Sequence, residues 1–106
     1  MTDEIARARA LSHRIALAFP GEVPAAGTRK HAAVLAVLIL DWGDELEELI
    51  DWALGQSWTE HPDGRAIRAM LVGIGRFPDG ALRVTHKGQV VDRLEVLRQI
   101  RGRTKT

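Results

Sequence analysis

The sequence predicts a mainly α, single compact domain of about five helices with one possible short β-hairpin near residues 81–91. Three observations predict it. The chain has 106 residues and no cysteine, which suits one core that needs neither disulfides nor a zinc staple. Apolar residues recur at helical spacing in successive segments, and turns bearing proline or glycine separate those segments. A single stretch alternates instead, as a half-buried strand does.

Taken in order, Thr2 is placed to cap a first helix, with Asp3 and Glu4 where a helix N-terminus favours negative charge. Ile5, Ala8, Leu11, Ile15 and Ala18 then give an amphipathic helix over 3–18, stopped by Phe19-Pro20-Gly21. Thr28 is placed to cap a second helix, apolar nearly all round from Ala32 to Leu40. Such a helix is expected to be covered on most sides and to form the centre of the core. Asp41-x-x-Asp44 either opens a new helix or lies in one long helix that tolerates Gly43 at a cost of about 1 kcal/mol. Leu46, Leu49, Ile50, Ala53 and Leu54 form a clean apolar stripe ending near Gly55.

His61-Pro62-Asp63-Gly64 reads as a turn, and Ile67, Met70, Leu71 and Ile74 as the stripe of a further helix. After a turn at Phe77–Gly80, Leu82 and Val84 alternate with polar neighbours, Lys87-Gly88 turns the chain, and Val90-Val91 follow. Asp92-x-x-Glu95 resembles a capping box opening a last helix with Leu94, Leu97 and Ile100, and residues 101–106 read as a frayed basic tail. The longest apolar run, Ala32–Leu40, is far shorter than the roughly 20 residues of a membrane span. The acidic start Met1-Thr2-Asp3-Glu4 is unlike a secretory signal, so a cytoplasmic location is expected.

Charge carries the functional reading. The net +1 hides a separation along the chain. Residues 41–63 hold Asp41, Asp44, Glu45, Glu47, Glu48, Asp51, Glu60 and Asp63 with no Lys or Arg, whereas residues 64–106 hold ten basic groups against Asp79, Asp92 and Glu95. On a helical wheel the carboxylates from Asp41 to Asp51 fall opposite the apolar stripe. Asp41–Glu45, Asp44–Glu48 and Glu47–Asp51 are like-charge i, i+4 pairs, each destabilising by roughly 0.2–0.5 kcal/mol. Trp52 falls within the acidic arc, where an aromatic framed by carboxylates would anchor a protein contact. Trp42 falls with the apolar stripe, and Trp58 lies beyond Gly55, where the wheel does not reach.

Catalytic signals are sparse. His13, His31, His61 and His86 show no metal-type pairing, and no phosphate loop or nucleophile-elbow motif occurs. Glu45-x-x-Glu48 followed by Glu60-x-x-Asp63 superficially resembles the carboxylate pairs of all-α nucleoside-triphosphate pyrophosphohydrolases, which hold magnesium between facing helices. Pro62 inside the second pair departs from that pattern.

Two functions of different class follow. The first is a non-enzymatic, cofactor-free inhibitor or adaptor. Its acidic face, Asp41, Asp44, Glu45, Glu48, Asp51 and Trp52, engages a basic surface of a protein partner. A small cysteine-free chain with such a face resembles, in type and without a diagnostic motif, the accessory proteins of phages and mobile elements, anti-CRISPR proteins among them. That resemblance covers Asp41–Trp52 and implies mimicry of a phosphate backbone toward a Cas effector or nuclease. The second is a winged-helix-like DNA-binding regulator in which Arg65, Arg68, Arg76, Arg83 and Lys87 meet nucleic acid. Either function suits a monomer or small homo-oligomer. The basic half of the chain is also available to neutralise the acidic face from within, and spacing leaves that choice open.

Overall fold

The computed structural model describes residues 2–76 and 82–104. Along them run α1 (Thr2–Ala18), α2 (Arg29–Trp42), α3 (Asp44–Leu54), α4 (Gly64–Arg76), a hairpin of β1 (Arg83–His86) and β2 (Gln89–Asp92), and α5 (Arg93–Thr104). The turn expected at Phe77–Gly80 lies outside the described residues.

The open choice at Asp41–Asp44 resolves into two helices. Gly43 adopts φ +68°, which L side chains rarely adopt, and its N–H donates to the Ile39 carbonyl at 2.8 Å. Asp41 therefore lies inside α2, and Asp44 is the first residue of α3. Asp44, Glu45 and Glu47 occupy the first turn of α3, where the helix dipole favours negative charge.

α3 is the centre of the core. Leu46, Leu49, Ile50 and Ala53 are fully buried, and the helix packs against all four of the others. Ile15 of α1, Leu35 of α2, Ile67 and Leu71 of α4, and Leu94, Leu97 and Ile100 of α5 complete the cluster. This corrects the expectation for the second helix. α2 packs mainly on α1 and α3, buries Ala32, Leu35, Leu38 and Ile39, and leaves Ala33, Val37 and Leu40 exposed. Its apolar circumference exceeds what one chain covers.

The hairpin is antiparallel, with Val84 opposite Val91 and Thr85 opposite Val90. Lys87 and Gly88 take φ +51° and +82°, the paired positive values of a type I′ turn. Asp92 Oδ1 accepts from the Leu94 N–H at 2.8 Å, which caps α5. Residues 101–104 are helical rather than frayed. Thr104 Oγ1 donates to the Ile100 carbonyl at 2.8 Å and lies 3.1 Å from His61 Nε2, and Arg103 pairs with Asp63 at 3.4 Å. Lys105 and Thr106 lie outside the described residues.

A buried polar clamp joins α1 to α2. Ser12 Oγ accepts from the Gly27 N–H at 2.6 Å and lies 2.8 Å from His31 Nδ1. Ser12 Oγ and His31 Nδ1 share one hydrogen bond whose direction is set by the ring's tautomer. His31 is 0% exposed, and Nε2 has no partner within hydrogen-bond geometry. Burial pushes His31 below the ordinary histidine value, and the Ile74 carbonyl offsets part of that.

The sign of the pH dependence follows. His31 contributes its full stability above pH about 6.5, the unfolded value, and that stability falls as the unfolded ring takes up a proton the folded ring resists. Urea midpoints at about pH 7 and about pH 5.5 check this against His31→Gln: the native protein should lose more on acidification than the variant. Equal losses would place the pH dependence elsewhere.

Candidate functional site

Because the apolar side of α3 is spent on the core, its carboxylates line the outside of the molecule. Arginines from two other helices meet them there. On one flank, Arg7 of α1 donates through Nη2 to Asp44 Oδ1 at 2.6 Å and through Nε to Glu47 Oε1 at 2.6 Å. One helical turn pair further along α1, Arg14 donates to Asp51. On the other flank, Arg98 of α5 grips Glu45 with two parallel bonds of 2.8 Å, and a third at 3.0 Å reaches Glu95. The Arg98 guanidinium also lies 4.5 Å over the ring of the half-buried Trp42.

These arginines stand 37, 40 and 53 residues from the acids they hold, so charge separated along the chain is reunited in space. The Arg98 guanidinium holds Glu45 below the usual carboxylate range, with Arg101 adding to the field. The same bonds raise Arg7 and Arg98 above the ordinary arginine value.

Pairing does not hide the ridge. The Asp44 side chain stays 87% exposed, that of Asp51 49% and that of Glu45 41%. Asp41 and Glu48 are exposed and hold no ion pair among the described residues. Glu45 and Glu48 share with Arg98, Arg101 and Gly102 a recess of 460 Å³.

Trp52 departs from its expected role as an outward anchor. It is half-buried against the core, edge-on to His61 with ring centroids 6.1 Å apart and planes at 85°. Trp58 stacks on Phe19 at 4.9 Å, and Arg68 covers both rings.

The second constellation converges less. Arg68 donates to both carboxylate oxygens of Glu22 at 2.6 and 2.7 Å, and Arg76 reaches the Glu22 carbonyl at 3.0 Å. Both are turned onto the loop after α1. Arg65, Arg83 and Lys87 remain exposed. Glu60 and Asp63, the second pair of the pyrophosphohydrolase pattern, sit in the non-helical connection between α3 and α4. Among the described residues no group of three His, Asp or Glu is placed to hold a metal ion. No described helix is long and apolar enough to cross a membrane.

Arg98 realises the neutralisation by the basic C-terminal half that the sequence left open, whereas Arg7 and Arg14 of α1 are partners of the ridge that sequence reasoning missed. Their helical phase was readable, but which helix faces α3 was not. Compared with protein families, curated proteins and solved structures, the chain matches none.

A titration tests the ridge directly. In the native protein the Glu45 carboxyl, followed by NMR, should titrate below the ordinary carboxylate range, and Arg98→Gln should return it toward that range. An unchanged Glu45 titration in the variant would show that Arg98 does not hold it.

Proposed function

We propose that this chain is a non-enzymatic binding protein, an inhibitor or adaptor, that engages a basic surface of a protein partner through the ridge from Asp41 to Trp52. The observation that carries the reading is a local imbalance. Five carboxylates of α3 and Asp41 at the end of α2 stand against Arg7, Arg14 and Arg98 with Arg101 nearby, and of the paired acids Asp44, Glu45 and Asp51 keep much of their surface. Opposite charge on a partner speeds encounter and fixes register.

Internal pairing changes how such recognition works. A bare acidic row would act by long-range attraction alone. Here the carboxylates are already ordered by their arginines, so less side-chain freedom is lost on docking. The cost is a weaker field, which makes phosphate-backbone mimicry a smaller part of the proposal. Glu48, exposed beside Glu45 and without an ion pair among the described residues, is the primary contact, and the half-buried Trp52 contributes what it leaves exposed. A nucleic-acid-binding effector is one class of partner with a suitable basic surface. The helix–hairpin alternative keeps one supporting observation, the succession of α4 and the β1–β2 hairpin with exposed Arg65, Arg83 and Lys87.

Affinity capture from host lysate with the chain as bait distinguishes these. A protein retained by the native chain should be lost with Glu48→Lys, with helical circular dichroism unchanged, and only weakened with Trp52→Ala. Retention indifferent to Glu48→Lys would overturn the ridge as the docking site. Retardation of duplex DNA at low salt, abolished by Arg65→Ala, would favour the helix–hairpin alternative.

A further inference from the structure

The outer face of α2 carries an observation that the ridge does not use. Nine successive residues, Ala32 to Leu40, are apolar, yet one chain covers only part of that circumference. Val37 is 63% exposed and Leu40 71%, with Ile5 of α1 beside them at 41%. Those three are among five large apolar residues exposed in the described chain, and they share one face. Glu4, Ile5, Ala36, Val37 and Leu40 line a recess of 340 Å³ there. Scattered exposed apolar residues need no explanation, but a contiguous apolar strip on a helix does.

The charges at the two ends of the strip identify what covers it. At the N-terminal end of α2, Arg29 and Lys30 are exposed and hold no ion pair among the described residues, and Arg9 of α1 lines a recess with Arg29. At the C-terminal end, Asp41 is exposed and unpaired among the described residues. The face thus reads positive, apolar, negative over the thirteen residues from Arg29 to Asp41, about 18 Å of helix. A surface of that form complements itself.

We infer that the outer face of α2 is the two-fold interface of a homodimer, in which α2 of one copy lies antiparallel on α2 of the other. A two-fold axis near Leu35–Ala36 sets Arg29 and Lys30 of each copy against Asp41 of the other, with Ala33, Val37 and Leu40 between them. Parallel pairing would instead bring like charges together at both ends, so the charge pattern selects the antiparallel, isologous arrangement. Ala33 and Ala36 lack bulk, which lets the helix axes approach closely. Ile5 and Arg9 of α1 widen the contact toward the roughly 1,000 Å² that a stable interface requires. Asp41, at the end of α2 and counted in the ridge above, is taken up by this contact, whereas the carboxylates on α3 itself are not part of it.

Sedimentation equilibrium of the full chain across a concentration series tests this. The native protein should dimerise, and Val37→Glu with Leu40→Glu should yield a monomer whose circular dichroism is unchanged, since both side chains are exposed. Asp41→Lys alone, and Arg29→Glu with Lys30→Glu alone, should each weaken the dimer by about tenfold or more by setting like charges together. Mixing those two variants should restore association, because each then supplies the charge the other lacks at both ends. A native chain that stays monomeric at all concentrations overturns the proposal and leaves the strip to a different protein. A dimer that survives Val37→Glu with Leu40→Glu, or variants that fail to associate when mixed, overturn it as well.

Discussion

The grip of Arg7, Arg14 and Arg98 on the carboxylates of α3 is the interaction on which the arrangement of this molecule turns. α3 touches every other helix, so its rotation decides which residues of the whole chain are inside. Its buried side is fixed by Leu46, Leu49, Ile50 and Ala53, and that leaves its acids outside as a self-repelling row. Arginines from α1 on one flank and α5 on the other convert the repulsion into attraction across helices. Individually such exposed pairs contribute little. Their collective effect is to make one rotation of α3 electrostatically acceptable and to hold α1 and α5 in register beside it.

This pairing also sets what the surface offers a partner. Carboxylates held by short bonds on both flanks form a row of fixed positions, whereas free glutamates would be a mobile cloud of charge. Under the proposed function a partner would meet oxygens held by arginines on Asp44, Glu45 and Asp51 and, on Glu48, ones without an ion pair among the described residues. In the proposed dimer each particle displays two such ridges, so engagement of a repetitive or two-fold partner gains from the linkage without new contacts.

What the sequence made legible follows from the range of the forces involved. Helix content was readable because amphipathic spacing is local: Ile67, Met70, Leu71 and Ile74 all lie inside as their spacing predicts. The turn at Lys87-Gly88 was readable from Gly88, which takes φ +82° without a Cβ penalty, whereas the φ +51° of Lys87 is not a preference of lysine. The break at Gly43 was not, since a glycine inside a helix and one between helices look alike until φ is known. The ion pairs were not, because they join residues 37 to 53 apart and depend on which helices become neighbours. The half-burial of Trp52 was hidden for a related reason: the wheel of α3 shows what surrounds it on that helix, but not His61 arriving from the connection beyond Gly55. The expectation that α2 would be covered on most sides fails at Ala33, Val37 and Leu40, because apolar content says how much surface could be buried but not which neighbours arrive to bury it.

Salt separates a clamped acidic ridge from a bare one more directly than any substitution. Screening shortens from about 10 Å at 0.1 M to about 3 Å at 1 M salt, which weakens whichever exposed interaction dominates. With the α3 carboxylates held by their own arginines, the urea midpoint of the native protein should fall as sodium chloride is raised over that range. A midpoint that rises would mean that repulsion along α3 prevails, and that the acids of the ridge are not held.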